Sequence, residues 1–345
     1  LLIADHARIH EGGGFYHLVP TPADVKESDF PKTLSATGLF ANPTNHELAV
    51  GVLPYSVNAE QWVDGLNQRR AIALPAYPDE SGGRKTTPIG FRRNRVWEMP
   101  EGTVLIKTLS LPMIKGDSDS MRRVETQVLT LQDEDWAAYV YKWNPEQTDA
   151  ILVKETGEET VISIRTPSGI RKREWRHAGR AECMFCHSRA AGFALGMNTL
   201  QMNRDHIYGK LVDNQLRVLD RHGLLTDDWV GETRKVMRNE LLQKEEPDRR
   251  ALPEVLKDVN ARIHELFGGA RAYPHPRSDR LAHDPTTLDY VRQADPHDET
   301  ASLDARARSY LQANCANCHV GAGGGNAMIN LSHDVESGKR ELFDV

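Results

Sequence analysis

Every cysteine of the 345-residue chain belongs to one of two short runs, Cys183-Met184-Phe185-Cys186-His187 and Cys315-Ala316-Asn317-Cys318-His319. Two thiols three residues apart share one face of a helical turn, where both can form thioethers with the vinyl groups of a haem while the adjoining imidazole binds iron. The chain has 14 histidines, so random placement of one after both pairs has a chance of roughly 0.002. The pattern points to two covalently bound haem c groups, held by Cys183, Cys186, Cys315 and Cys318, with His187 and His319 as proximal iron ligands. A structural zinc site sets its cysteine pairs about 15 to 20 residues apart or adds a spaced histidine pair, whereas these runs start 132 residues apart. One zinc ion shared by both pairs stays open as an alternative. A thioredoxin-like redox pair needs a βαβ setting that neither run has.

The sixth ligand decides what each iron can do: a Met thioether raises the reduction potential, a second His lowers it, and an open position admits small molecules. After the first motif the preferred distal ligand is Met202, with Met197 and His206 as alternatives and Met237 and His177 behind them. Met202 and His206 are four apart, so on a helix they would share a face and only one could bind. Each methionine also has an ordinary packing role open to it. Met328 lies nine residues beyond His319 in a glycine-rich loop and reads as packing, which places the second distal ligand beyond Val345 in a longer chain. Arg171, Lys172, Arg173, Arg176 and Arg180 crowd the approach to Cys183. Arg176 and Arg180 lie nearest it and are the candidate partners for haem propionates, against the equal alternative of a solvated strand end.

The elements that must position these motifs divide by pattern. Residues 1–25 read as a hairpin around Gly12-Gly13-Gly14, the tail of an upstream domain. Residues 26–180 carry β-type runs over 103–111, 123–131, 136–143, 150–153 and 160–166. In Val124, Thr126, Val128 and Thr130 branched side chains recur at period two, as a half-buried strand requires. A β-sandwich-like scaffold or docking module is expected there, and with His46 its one histidine before residue 176, a multi-histidine metal centre is not. Residues 181–270 read as a helical first haem domain, with helices over 213–222, 232–244 and 252–267. A linker is expected over 271–300, then a second haem domain over 301–345 whose helix Ser302 would cap. The expected fold is multidomain: a β-sandwich-like module followed by mainly α-helical cytochrome c domains.

A net charge of −6 with 39% hydrophobic and 27% charged residues describes a globular chain without the basic surface that nucleic acid binding needs. No apolar run approaches the length of a membrane span. Haem c is attached outside the bacterial cytoplasm, so a periplasmic or exported location is expected. The first residues lack Met and a leader pattern, which suggests a start inside a longer precursor.

Several segments form a familiar set: Phe30-Pro31-Lys32-Thr33-Leu34-Ser35, Pro54-Tyr55-Ser56-Val57-Asn58-Ala59, Gly102-Thr103-Val104-Leu105-Ile106-Lys107-Thr108, Arg122-Arg123-Val124-Glu125-Thr126, Trp143-Asn144 and Gln201-Met202-Asn203-Arg204. Together with the two haem motifs, these resemble a family of exported bacterial dihaem c-type cytochromes with a β-rich region before the haem part. In some members that region is fused behind a β-propeller similar to quinone-dependent glucose and sorbosone dehydrogenases, and residues 1–20 look like its closing strands. The resemblance implies an electron carrier between a dehydrogenase donor and a cytochrome acceptor. Its downstream Met-Pro segment has no counterpart here, and the family often has Leu where this chain has Met202. Two other functions stay open: a dihaem peroxidase-type enzyme, and a haem-linked binding module whose β-region recognises a partner.

Overall fold

The strongest strand pattern in the chain builds the centre of the molecule. Residues Met121–Gln132, rich in Val, Thr and Leu, form a long strand flanked by Val104–Pro112 and Asp135–Trp143. In the computed structural model, the described residues are 2–4, 15–17, 30–79, 82–92, 96–226, 292–321 and 329–333, with the single positions 257, 261 and 335. Two units are distinguished, Leu1–Lys32 and Thr33–Val345. In the first, β1 (Leu2–Ala4) pairs antiparallel with β2 (Phe15–His17), the hairpin expected from the glycine run.

The second unit is organised by one six-stranded antiparallel sheet. Its strands are β5 (Val52–Tyr55), β6 (Asn67–Ala73), β9 (Val104–Pro112), β10 (Met121–Gln132), β11 (Asp135–Trp143) and β12 (Ala150–Leu152), in the order β12-β11-β10-β9-β6-β5. Ribbons surround it: β3 (Phe40–Asn42) with β4 (Glu47–Leu48), β7 (Ala76–Pro78) with β8 (Arg84–Thr86), β13 (Glu158–Thr166) with β14 (Gly169–His177), and β15 (Asp205–Tyr208) with β16 (Leu211–Asn214). Four of the five expected strand runs fall in this sheet and the fifth in the β13–β14 hairpin.

One face of the sheet carries the larger core. Ile72, Leu105, Leu129 and Ala138 pack there with Phe91, Trp97, Met197, Met202, Leu216 and Leu219, and Cys183 and Met184 rest against the cluster. Farther along, Leu109, Leu111 and Val124 pack with Trp175 of β14. Val124 reaches this face because β10 bulges between Arg123 and Glu125, which turns the strand by one extra residue. On the opposite face a chain of polar groups runs among the buried apolar side chains of Ile106, Val128, Tyr141 and Trp143: His46 Nε2 lies 2.9 Å from Thr108 Oγ1, Thr108 Oγ1 lies 2.8 Å from Thr126 Oγ1, and Trp143 Nε1 donates to Thr126 Oγ1. Arg123 donates to the Pro43, Thr44 and Gln147 carbonyls and lies 4.0 Å over the Trp143 ring.

The expected fold needs correction. A single sheet with ribbons replaces the sandwich, and the described residues after it are not mainly helical. The described helices are α1 (Arg180–Met184), α2 (Thr199–Met202), α3 (Gln215–Arg221) and α4 (Leu303–Asn314); only α4 exceeds two turns. Glycines at positive φ, Gly192, Gly196 and Gly209, interrupt the segment between α1 and α3, and Gly223 follows the end of α3. Asn198 and Asn214 restart helices as caps, their side chains accepting from Gln201 and Leu216 backbone N–H. The expected helix over 232–244 lies outside the described residues, as do most of the expected linker and all of the expected helix over 252–267 except Lys257 and Ala261, which are helical. No division appears at residue 180, since residues 33–345 form one unit.

Candidate haem attachment site

The β13–β14 hairpin carries the chain into the first motif, and one buried carboxyl group fastens it to the sheet. Glu125 of β10 is 1% exposed; its Oε2 accepts from Trp175 Nε1 at 2.9 Å and His177 Nδ1 at 2.7 Å, and its Oε1 from Gln127 Nε2 at 2.7 Å. Thr160 Oγ1 lies 3.0 Å from His177 Nε2, so the imidazole is held from both sides. Two residues later the backbone of Gly179 passes so close to the Glu155 carbonyl that a Cβ there would come within 2.4 Å of its oxygen; only glycine fits. Gly179 N–H donates to Glu182 at 2.6 Å and opens α1. That bond, with Arg176 beside it, holds the Glu182 carboxyl below its usual range.

The first motif forms a single helical turn. Cys186 and His187 N–H both donate to the Cys183 carbonyl, at 3.3 and 3.2 Å, which sets both thiols and the imidazole around one turn. His187 Nδ1 lies 2.6 Å from the Phe193 carbonyl oxygen. A carbonyl can only accept, so the proton sits on Nδ1 and the Nε2 lone pair is left for a metal. The acceptor is itself placed under strain: Phe193 has φ +58° and Gly192 φ +71°, and a left-handed phenylalanine costs on the order of 1 kcal/mol. Stacking on Trp136, centroids 6.5 Å apart, steadies the ring. Burial lowers His187 below the usual imidazole value and pushes the Cys183 thiol up to about 11, so near neutral pH the motif offers a neutral imidazole and protonated thiols.

The second motif ends the longest described helix. Ser302 caps α4 through Oγ accepting from Ala305 N–H at 3.2 Å, as expected from sequence. Cys315 N–H donates to Leu311, and Cys318 and His319 N–H to Cys315, at 2.8, 3.1 and 2.9 Å. The helix continues into the same one-turn geometry as the first motif. Asn314 Oδ1 accepts from Trp62 N–H at 2.6 Å, fixing this end to the segment before β6.

The fold brings the two motifs side by side. Cys318 Sγ lies 3.9 Å from the Phe185 carbonyl oxygen, inside the first motif. A cavity of about 130 Å³ lies between Cys183 and His187 on one side and Leu105, Lys107, Gln127 and Leu129 of the sheet on the other, with Ala313 and Asn317 at its edge. The residues fit a haem in their donor set: four free thiols in two pairs, each followed by a histidine, one with its ligand tautomer fixed. The cavity is smaller than a porphyrin, so an attached ring would be exposed along part of its edge or would need the walls to give. Among the described residues no three His, Cys, Asp or Glu side chains are grouped to hold one metal ion, which argues against the shared zinc arrangement.

The other expected site residues lie elsewhere. Met202 and Met197 are 1% and 0% exposed and packed in the core cluster. His206 sits on β15 with Nδ1 2.8 Å from Ser56 Oγ and its ring edge-on to Tyr208; it shares no helix with Met202. His177 is engaged by Glu125 and Thr160. None of these four borders the cavity holding Cys183 and His187. Met237 and Met328 fall outside the described residues. Arg176 is paired with Glu182 at 3.1 Å; Arg180 is paired with Glu155 at 3.2 Å and lies over the Tyr139 ring. Sequence reasoning missed two contributors. Phe193 gives no signal, but Lys107 does: it interrupts the inward parity Leu105, Lys107, Leu109, Leu111. Burial, with Arg70 beside it, lowers the Lys107 amine to about 8.

No family model matches this chain, and neither a curated protein nor a solved structure matches it. No helix among the described residues is long and apolar enough to cross a membrane.

Proposed function

We propose that this chain is an exported dihaem c-type electron carrier. Cys183 and Cys186 would hold one haem and Cys315 and Cys318 the other, with His187 and His319 as proximal ligands. Haem supplies a one-electron ferric/ferrous couple when bound. The observation that carries the reading is the adjacency of two C-x-x-C-H turns that are 132 residues apart in sequence. Electron tunnelling weakens steeply with distance, and such adjacency suits transfer between two centres better than two independent reactions.

The protein's own groups divide the remaining work. Phe193 fixes the His187 tautomer and raises its basicity as a ligand. The apolar row Leu105, Leu129 and Ala138 keeps water from one side of the first site, which favours the less charged ferrous state. The donor would be a quinone-dependent sugar or alcohol dehydrogenase, fused or docked, and the acceptor another cytochrome. Reduction of the haem-loaded protein by such a dehydrogenase in stopped flow tests this: both haems should reduce within a turnover, and failure of both to do so overturns it.

A further inference from the structure

At the end of the β13–β14 hairpin away from the first motif, two turns are locked together. Arg165 N–H donates to the Met113 carbonyl and Lys115 N–H to the Arg165 carbonyl, each at 2.8 Å, which fixes the hairpin tip against the turn between β9 and β10. Register then places the side chains: Arg165 stands opposite Ile170 and Ser163 opposite Lys172 on the exposed face of the ribbon. Arg122, at the start of β10, borders the same shallow cavity as Arg165 and Ile170. Lys115, Arg122, Arg165, Arg171 and Lys172 are all exposed, and none of these five side chains has a hydrogen bond or ion pair with a described residue. Two carboxylates stand among them, Asp117 and Asp119, and that of Asp117 already accepts from Asp119 N–H at 2.9 Å. The next acid along the exposed face of the ribbon is Glu174, two residues beyond Lys172 and opposite Val161. Cations therefore prevail at this tip in a chain whose net charge is −6.

Aliphatic side chains are open to solvent among these charges. Ile170, next in sequence to Arg171 and Lys172, is 72% exposed, and Met121, beside Arg122, is 36% exposed. Scattered exposed aliphatics are ordinary, but here they share one tip with unpaired cations, and the turn residues Pro167 and Ser168 carry no charge. We propose that the tip of the β13–β14 hairpin, together with the turn over residues 113–122, docks on an anionic phospholipid membrane. Lipid phosphates supply the counter-charge that the five cations lack, and Ile170 and Met121 enter the boundary between headgroups and acyl chains. The arginine and lysine stems lie along that boundary while their heads reach the phosphates. An acidic protein surface would meet the charges but has no need of the two aliphatic groups. β14 runs about 25 Å from this tip to His177, so a chain held here keeps the first motif at the far end of the hairpin. The docking does not draw on the dihaem reading, because no residue of either motif takes part.

The test is co-sedimentation of the full chain with vesicles, either equal parts phosphatidylglycerol and phosphatidylethanolamine or phosphatidylcholine alone. Circular dichroism checks that each variant keeps the wild-type fold. Wild type should sediment with the anionic vesicles, be released as salt is raised, and stay in solution with phosphatidylcholine. Arg165→Gln with Lys172→Gln should weaken binding about 30-fold, and Ile170→Ser about 10-fold. Lys85→Gln with Lys154→Gln removes the same charge from exposed positions outside the tip and should change binding less than about twofold. Failure of the wild type to bind anionic vesicles, or equal binding to phosphatidylcholine, overturns the proposal. So does an equal loss in the Lys85/Lys154 variant, which would make the effect one of total charge. Binding that the Arg165/Lys172 change weakens but Ile170→Ser leaves intact also overturns it, and assigns the patch to an acidic protein surface instead.

Discussion

Removing the Glu125 side chain should loosen the path into the first motif more than any other single truncation in the sheet. The carboxyl group is 1% exposed and accepts from Trp175 Nε1 and His177 Nδ1, both on β14, which runs to within two residues of Gly179. Glu125→Ala leaves two buried donors without a partner, at about 1–3 kcal/mol each. It also leaves a small void beside Leu109 and Val124 that adds to the loss. The expected destabilisation is about 3–5 kcal/mol, the range seen when one partner of a buried pair is removed. Glu125→Gln keeps one acceptor oxygen and should lose only about 1–2 kcal/mol. The assay is urea unfolding of the haem-loaded full chain, followed by tryptophan fluorescence and by haem absorption, because Trp175 reports the hairpin and haem the motif. Both probes should shift to lower midpoint together at unchanged slope. A loss below about 1 kcal/mol in Glu125→Ala, or a haem transition that stays at the wild-type midpoint, would refute the claim that this carboxyl group anchors the motif.

The same geometry fixes two further outcomes. Burial, with Arg69 and Arg123 nearby, lowers His46 from 6.5 to about 4, so the unfolded chain binds a proton there that the folded chain refuses. Stability from this group is complete above pH 6.5, declines as pH falls toward 4 and levels off below, with a total of about 3 kcal/mol; His46→Gln should remove that part of the acid dependence, and an unaltered pH profile would contradict it. Gly192→Ala puts a Cβ 2.9 Å from Val96 at a backbone φ of +71°, which should cost about 1–3 kcal/mol and disturb the Phe193 carbonyl, broadening the resonances of the His187 ring in NMR; an unperturbed ring would show that the carbonyl is held by other contacts.

The strands of the main sheet could be read from sequence because they are long, β-branched and bounded by turn residues, and both motifs could be read because cysteine chemistry is tied to spacing. What failed did so for local reasons. Period two puts Val124 on one face with Thr126 and Val128, and the bulge at Val124 moves it to the other. Met202 and His206 look like a helical pair, but Asn203, buried and accepting from Asn214 Nδ2 at 3.0 Å, stands where the chain leaves α2 for β15. The two-residue turn Gly209-Lys210 between Tyr208 and Leu211 was the available hairpin signal. The helical domain was expected from amphipathic spacing and glycine stops, but the stretch over 213–222 is helical only over Gln215–Arg221, because its first residues pair as the strand Leu211–Asn214 with Asp205–Tyr208. Lys107 could be noticed as a charge at an inward position but not placed beside the first motif, because the cavity it borders is made by residues about 80 positions away.

Covalent attachment at both turns is the central claim. Intact mass spectrometry of the protein expressed with a haem c attachment system, with peptide mapping of residues 180–190 and 312–322, should give the polypeptide plus two haems, one on Cys183 and Cys186 and one on Cys315 and Cys318. A mass equal to the bare polypeptide, or zinc recovered in proportion to the four thiols, would contradict it.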